Sequence, residues 1–345
     1  MRTEVPAPPL PVASSPLLRT DRSLKLPTPQ LSVVIVNYCQ WADTAALVRS
    51  VVTTPAGRRG EVEVVVVDNH SPRHCIIPRL RRWPGVSLRR WRRNHGFARA
   101  ANEGARLSLA PWVLLLNPDI TLPPGFLDRA LSLTRQLTAD EPRTGIVGVQ
   151  LRHADGTRQH SVGSFPTLWN TLAGLLQPRA RRKCRPRHAR RRCRVPWVTG
   201  CCLLVRRDCL RDLGGFDERF FLYYEDVDLC RRAWTRGWQV CYEPGLCATH
   251  HRPLHRRTVA PPLRLVTRHS LLTYARLHWP RWHFHALAWV VRLEGWIRRW
   301  WALYHGCKSE AQASAELATV AADLARNRPN RARRRVRAIM DPLVR

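Results

Sequence analysis

The sequence predicts an α/β protein, a mostly parallel sheet with helices on both faces, followed by a helical C-terminal extension. Near-continuous apolar runs recur through residues 31–150, and segments of helical length separate them. Such runs suit strands buried on both faces. The placement of the acids agrees. The chain has 58 Lys and Arg against 25 Asp and Glu, yet carboxylates stand at the ends of its most apolar segments. In open α/β sheets that edge is where ligands bind. Acids there, in a cationic protein, suit an enzyme that handles a phosphorylated ligand.

The elements follow in order. Met1 to about Gln30 is rich in Pro and Ser and reads as a disordered leader rather than a signal peptide. Leu31 to Tyr38 is the first strand, Ala42 to Val52 a helix, and Val62 to Asp68 the second strand. Gly96 to Leu109 reads as a helix with small residues toward the sheet, and Trp112 to Asn117 as a strand. Pro123-Pro124-Gly125 starts a helix to about Leu137, Gly145 to Leu151 is a strand, and Asp155-Gly156 is a hairpin turn. This alternation implies right-handed crossovers. Residues 178–194 carry like charge at a density that predicts an exposed insertion loop. Trp197 to Val205 is a strand, then a short helix runs to Leu213 and ends at Gly214-Gly215. Glu225 to Arg236 is a helix stopped by Gly237, and Trp238 to Tyr242 is a strand.

The chain then changes character. Leu263 to Leu277 and His283 to Tyr304 read as helices. In the second, Trp289, Leu293, Trp296, Ile297, Trp300 and Tyr304 share a face, with Arg292, Arg298 and Arg299 off it. That face suits either a membrane interface or packing against the core. Arg326 to Arg337 reads as a basic tail. The expected division is a leader (1–30), an α/β domain (31–255), a helical extension (256–324) and a basic tail (325–345).

Composition narrows the class. With 44% hydrophobic residues and 14 Trp the chain is globular. Net charge invites nucleic-acid binding, but 55 of the 58 basic residues are Arg, a bias that weakens charge as a clue. Surplus Arg still favours anionic surfaces, phospholipid headgroups included. Eleven Cys without a Cys-x-x-Cys pair predict reduced thiols in the cytoplasm, with Cys201, Cys202, Cys230 and Cys241 buried. No window offers the roughly 18 apolar residues of a spanning helix.

Five blocks appear in order: Ser32-Val-Val-Ile-Val-Asn-Tyr38, Val65-Val-Val-Asp-Asn-His-Ser71, Arg93-Asn-His-Gly-Phe-Ala-Arg-Ala-Ala-Asn102, Leu114-Leu-Leu-Asn-Pro-Asp119, and Gly214-Gly-Phe-Asp-Glu-Arg-Phe-Phe221 leading into Glu225-Asp-Val-Asp-Leu229. On these blocks the sequence resembles the inverting nucleotide-sugar transferases of glycosyltransferase family two, with the GT-A fold. The rhamnosyltransferase-like branch is nearest. The resemblance spans Leu31 to about Arg252 and weakens through the C-terminal helices.

The resemblance implies a nucleotide-diphosphate sugar donor, dTDP- or UDP-linked and in this branch dTDP-rhamnose. The implied acceptor is a glycan or lipid-linked saccharide at the cytoplasmic membrane face, in cell-surface polysaccharide synthesis. Asn37 and Tyr38 would contact the nucleotide. Asp68 would accept the N–H of a pyrimidine base; its bland reading is a turn cap. Asn94 and Gly96 open a helix whose N–H groups suit a nucleotide or phosphate, or else Asn94 is an ordinary N-cap. Asn117-Pro118-Asp119 stands where the family carries Asp-x-Asp. Asp119 would hold Mg²⁺ or Mn²⁺ on the diphosphate, whereas Asn117, one charge short, would touch the ribose or the sugar.

Glu225, Asp226 and Asp228 open a helix, where the macrodipole favours acids regardless of function. By resemblance Asp226 is the base that deprotonates the acceptor hydroxyl. Glu225 would orient the acceptor or the base and is the alternative base, and Asp228 would pair with Arg231 to hold the helix. His250, with His251 the alternative, would complete the metal shell or touch the diphosphate, its bland reading being structural. Arg252, Arg256 and Arg257 would stabilise charge on the leaving diphosphate or belong to the Arg-rich background. Trp197 and Gly200 line an acceptor pocket or belong to a core strand. Two rivals stand beside this reading: a catalytically weak nucleotide-sugar-binding relative, kept alive by Asn117, and a basic nucleic-acid-binding protein, which the strand-end acids oppose.

Overall fold

The structure, a computed structural model, describes residues 28–175, 189–253 and 259–340. The leader as far as residue 27, residues 178–188 of the basic insertion, and Arg256 and Arg257 lie outside the described residues.

The elements run β1 (Leu31–Asn37), α1 (Trp41–Val52), α2 (Pro55–Arg58), β2 (Val62–Asp68), α3 (Ile77–Arg82), β3 (Val86–Arg90), α4 (Phe97–Leu107), β4 (Trp112–Leu116), β5 (Ile120–Thr121), α5 (Phe126–Asp140), β6 (Thr144–Arg152), β7 (Arg158–Gln159), β8 (Val162–Gly163) and α6 (Leu168–Leu175). After the basic insertion come β9 (Cys193–Arg194), β10 (Trp197–Val198), β11 (Cys202–Arg206), α7 (Arg207–Leu213), α8 (Glu225–Thr235) and β12 (Gln239–His250). Four helices close the chain: α9 (Pro261–His278), α10 (Arg281–Tyr304), α11 (Lys308–Ala325) and α12 (Pro329–Met340).

The main sheet has the order β3-β2-β1-β4-β11-β6-β12-β5, with β7 on β6 and β9 on β12. β3, β2, β1 and β4 are parallel, β11 runs antiparallel between β4 and β6, and β6 and β12 are again parallel. Val33, Val34, Ile35, Val65, Val66 and Leu114 are fully buried because helices cover both sheet faces. The small face of α4 allows that cover. A Cβ on Gly104 would stand 2.3 Å from Val34 Cγ1, so α4 lies flat on β1 only with glycine there.

Several expectations need correction. Trp197 to Val205 is not one strand. β10 pairs with β8 in a separate ribbon, and only β11 enters the main sheet, because the chain turns at Gly200. β12 runs on to His250, eight residues past Tyr242. The last residues of the basic insertion are not a free loop, since Cys193–Arg194 pair with β12. The basic tail contains a helix, α12, which buries Ala332, Val336 and Met340. β3 and α3 had no counterpart in the sequence reading.

Helices α9 to α12 share a core of Leu265, Leu272, Leu287, Leu317, Val320 and Val336. α10 is apolar on two sides. Its Phe284, Leu287, Ala288, Val291 and Gly295 pack inward, while Trp289, Trp296, Trp300 and Tyr304 remain 62, 53, 71 and 76% exposed on the opposite side. The sequence had that aromatic face as either membrane-facing or core-packed. The core contact is made by the other face. No described helix is long and apolar enough to cross a membrane.

Candidate active site

β1, β2 and β4 end at one edge of the sheet, and the loops there carry most of the residues singled out in the sequence. Along β1 and β2 they form a closed network. Asn37 is fully buried: its Nδ2 donates to Asp68 Oδ1 (2.9 Å) and Ser71 Oγ (3.0 Å), and its Oδ1 accepts from Thr44 Oγ1 (2.8 Å). Asp68, also fully buried, further accepts from Ser71 N and, at Oδ2, from Arg90 Nε (2.9 Å). Asn69 Nδ2 donates to Asn94 Oδ1 (2.8 Å), and Asn69 Oδ1 accepts from His95 N.

These contacts change four readings. Asn37 has its side-chain hydrogen bonds taken by protein groups and acts as a brace. A base N–H reaches Asp68 only if the Arg90 guanidinium turns away. Asn94 is not the N-cap of α4. Gly96 holds that place at φ 90°, with Asn94 Oδ1 accepting from Gly96 N. Nor is the space over Gly96 open to a phosphate. A Cβ there would meet Phe221 O at 2.5 Å, and Phe97 N donates to that same carbonyl (2.7 Å). Tyr38, half-buried, follows Asn37 at the rim.

The other half of the site is built from the turn after β4, the start of α8 and the end of β12. Asn117 N donates to Cys201 O (2.9 Å), which ties the Asn117-Pro118-Asp119 turn to the chain leaving Gly200. Gly200 N donates to Asp226 Oδ2 (3.0 Å), and a Cβ on Gly200 would crowd Asp226 Cβ at 3.3 Å. Gly200 therefore accommodates Asp226 rather than a sugar. Trp197 is fully buried, with Nε1 donating to Ser164 O, and so is a core residue, not a stacking surface.

Glu225 and Asp226 are the first two residues of α8, and both are buried. Asp226 Oδ1 accepts from Val227 N (2.9 Å), so backbone donors hold both carboxylate oxygens. Tyr223 and Tyr224, just before, have φ of 70° and 66°. Two consecutive left-handed non-glycine residues cost roughly 1–3 kcal/mol each, a cost that surrounding packing must hold. The helical unit supplies that packing. Ser270 Oγ donates to Leu222 O, and the Tyr224 and Tyr274 rings lie 5.9 Å apart. Asp228 does not pair with Arg231. It takes Arg232 Nε and His278 Nε2, each at 2.7 Å, while Arg231 turns to Tyr274 Oη.

Asp119 and His250 meet, with Oδ2 3.5 Å from Nε2. His251 N donates to Asp119 O, and its ring reaches Thr121 Oγ1, so His250 is the histidine in the site. Burial alone would raise the Asp119 carboxyl, but His250 and Arg252 outweigh it and hold it below its ordinary value. Burial would lower His250, but Cys201 and Asp119 push its imidazole up to about 10. Arg252 N donates to Asp119 Oδ2 (3.2 Å), and its guanidinium pairs with Asp43.

The pair fits a divalent cation. An oxygen and an imidazole nitrogen lie side by side, and such ions draw remaining ligands from phosphate and water. Among the described residues no group of three or more His, Cys, Asp or Glu is placed to hold a metal ion, so protein groups would supply the minority of the shell. One orphaned atom supports the fit. Gln159 Nε2 stands 2.9 Å from His250 Nδ1, leaving buried Gln159 Oε1 without a hydrogen bond. Turning that amide over would let Oε1 accept from Nδ1–H, so that a cation displacing the proton from Nε2 would meet its lone pair.

Sequence reasoning missed the partners: Arg90, Asn69, Gln159, Cys201 and the seat for Gly215. A Cβ on Gly215 would meet Asn102 Oδ1 at 2.6 Å, and the Asn102 amide brackets Phe216 through both its N–H and its C=O. The third and fifth blocks are thereby joined, across a separation no local pattern could reveal.

The N-acetylglucosaminyl-diphospho-decaprenol L-rhamnosyltransferase of Mycobacterium tuberculosis is 31% identical over 287 residues, 77% of this chain and 90% of the relative. The rhamnosyltransferase WbbL of Escherichia coli is 26% identical over 140 residues, 41% of this chain and 52% of the relative. The crystal structure of GalNAc-T7 with UDP, GalNAc and Mn²⁺ superposes with a TM-score of 0.53 at 18% identity, covering 72% of this chain and 48% of that one. That likeness places the sheet in the GT-A fold. The family model described as glycosyltransferase like family 2 matches residues 29–270. The chain belongs to that family, as a rhamnosyltransferase-like glycosyltransferase.

Proposed function

We propose that the protein transfers a single sugar from a nucleotide-diphosphate donor to a lipid-linked saccharide, inverting the anomeric carbon. The observation that carries this reading is the Asp226 carboxylate. It sits at the N-terminus of α8, fixed by the N–H groups of Gly200 and Val227, and is joined through Gly200 and Cys201 to the Asp119 turn. Asp226 takes the acceptor hydroxyl proton as that oxygen attacks the anomeric carbon. The new C–O bond forms on the face opposite the diphosphate, which leaves with the electron pair of the old bond. Glu225 orients Asp226 or the acceptor. Asp119 and His250 would hold Mg²⁺ or Mn²⁺, which when bound neutralises charge on the diphosphate. Arg252 adds a fixed positive charge beside them. Asp68 and Tyr38 receive the nucleotide once Arg90 turns away, and Asn117 faces the ribose or sugar.

The relative in Mycobacterium tuberculosis motivates the specific pair: a rhamnose donor and an N-acetylglucosaminyl-diphospho-lipid acceptor. An acceptor of that kind lies in a membrane, and α10 offers a suitable surface. Trp289, Trp296, Trp300 and Tyr304 are exposed with Arg292 and Arg299 beside them, and Arg292 stacks on Trp296 at 5.2 Å. The only acid of α10, Glu294, is bound to Arg268 and Arg298. Aromatic rings flanked by arginines complement an anionic bilayer surface. The test is turnover of the full chain with dTDP-rhamnose, a prenyl-diphosphate-linked GlcNAc and Mn²⁺, followed by anomeric analysis. One rhamnose with inverted configuration and one dTDP per turnover are expected. A retained configuration rejects the single-displacement reading.

A further inference from the structure

Away from the candidate active site, α9, α12 and the loop at Arg219 line a small cavity rich in basic side chains. It holds about 70 Å³ and is lined by Arg219, His269, Thr273, Arg276, Asn330 and Arg333. His269 is 2% exposed, and its Nδ1 is buried without a hydrogen bond. Arg333 Nε is buried and equally unsatisfied, as is Arg337 Nε one turn further along α12. Buried polar atoms left unpaired are uncommon and costly. Three here sit on one helix pair.

The acids nearby are spent. Asp217 is taken by Arg219 (2.6 Å), and Glu218 lies 3.8 Å from Arg99. Arg276 donates to the neutral Asn327 (2.5 Å). Arg333 and Arg337 have no carboxylate partner within salt-bridge distance among the described residues. Burial, with Arg337 adjacent, holds the Arg333 guanidinium below its ordinary value. Asn330, in the first turn of α12, also borders the cavity. The Arg331 and Ala332 N–H groups are held by Arg328 O, so Asn330 is the donor there, and the helix dipole favours an anion beside it.

We infer that this cavity binds a phosphate group. Arg333, His269 and Asn330 would be its direct donors, with Arg276 and Arg219 beside them. The donors come from α9, α12 and the loop at Arg219, and so from several directions. A tetrahedral dianion can accept from such a set, whereas a planar carboxylate suits a single fork. Free phosphate and the phosphate of a lipid headgroup share this chemistry. The inference is independent of the transferase reading, because none of these residues belongs to the candidate active site.

The test is calorimetric titration of the full chain with inorganic phosphate, against chloride at equal ionic strength. Arg333→Gln should weaken phosphate binding at least about tenfold, the scale of one charge-assisted contact. Asn330→Asp is the second variant. It places a carboxylate at the cavity on an exposed first turn, where acids favour the helix, and should weaken binding equally in a folded protein. Sedimentation with phosphatidylcholine vesicles, with and without phosphatidate, separates the sources. Loss of phosphatidate-dependent binding in Asn330→Asp identifies a headgroup, while phosphate binding with no phosphatidate dependence identifies the free ion. A wild type that responds to phosphate no more than to chloride overturns the inference, as do two folded variants that bind phosphate like wild type. Sugar transfer measured in the same variants reports separately on the active site.

Discussion

The two halves of the site are built on opposite terms. Around β1 and β2, Asn37, Asp68, Asn69 and Asn94 bond mainly to one another and to neighbouring backbone, and Asn37 and Asp68 are fully buried. Around β4, α8 and β12, Asp119 and His250 stand 3.5 Å apart, a buried Gln159 oxygen is unpaired, and Asn117 makes only backbone hydrogen bonds among the described residues. Hydrogen-bonding capacity is spent in one half and available in the other. The first half therefore mainly fixes loop positions, with Asp68 reached by a nucleotide only when Arg90 moves, and the second is left to hold the diphosphate and move a proton. A motif residue is not automatically a ligand contact, and its partners decide which kind it is.

Substitutions should separate the halves. The largest stability effects belong to the braced half. Asn37→Ala leaves Asp68, Ser71 and Thr44 short of a partner, and we expect a loss of about 2–4 kcal/mol in chemical denaturation. Gly96→Ala, with φ 90° and Phe221 O in the way, should cost a similar amount, about 2–4 kcal/mol. A fully stable Asn37→Ala protein with lost donor binding would reverse the assignment of the halves.

The helical unit provides a pH signature separate from both halves. Burial, with Arg333 adjacent, pushes His269 down to about 4. The unfolded chain takes up that proton near 6.5, before the folded one does. Stability should thus be full above about pH 6.5, fall as pH drops toward 4, and level off below, by about 3 kcal/mol at most. Denaturation of wild type and His269→Gln across that window, in phosphate-free buffer, measures the difference, and parallel curves would refute it.

In the open half, His250→Gln should raise the Mn²⁺ concentration needed for half-maximal turnover about 10–100-fold, with global stability little changed. An unaltered metal requirement would remove His250 from the metal shell. The smallest effect belongs to α10. The combined Trp296→Ser, Trp300→Ser and Tyr304→Ser protein should bind anionic vesicles about tenfold more weakly than wild type. Equal binding would place the membrane contact elsewhere.

Much of this architecture was legible in the sequence. Leu31–Asn37, Val62–Asp68 and Trp112–Leu116 announce themselves because strands covered on both faces need unbroken apolar runs. β3 did not, since Val86–Arg90 is an edge strand that is partly exposed along its length and carries two arginines. α12 was hidden by charge, although Ala332, Val336 and Met340 recur every four residues. At the site, strand-end acids marked the right edge of the sheet. Their partners did not show, because Asp68 with Arg90, His250 with Gln159 and Gly200 with Asp226 are joined only by the fold. Trp197 misled because a buried indole and a sugar-stacking one look alike in sequence.

The most direct measurement is a single-turnover comparison of wild type and Asp226→Asn at saturating donor, with donor affinity measured in parallel. The amide keeps the shape of Asp226 but cannot take the acceptor proton. The chemical step should slow about a thousandfold, with donor dissociation constants agreeing within about twofold. An Asp226→Asn enzyme that transfers sugar at the wild-type rate would contradict the account.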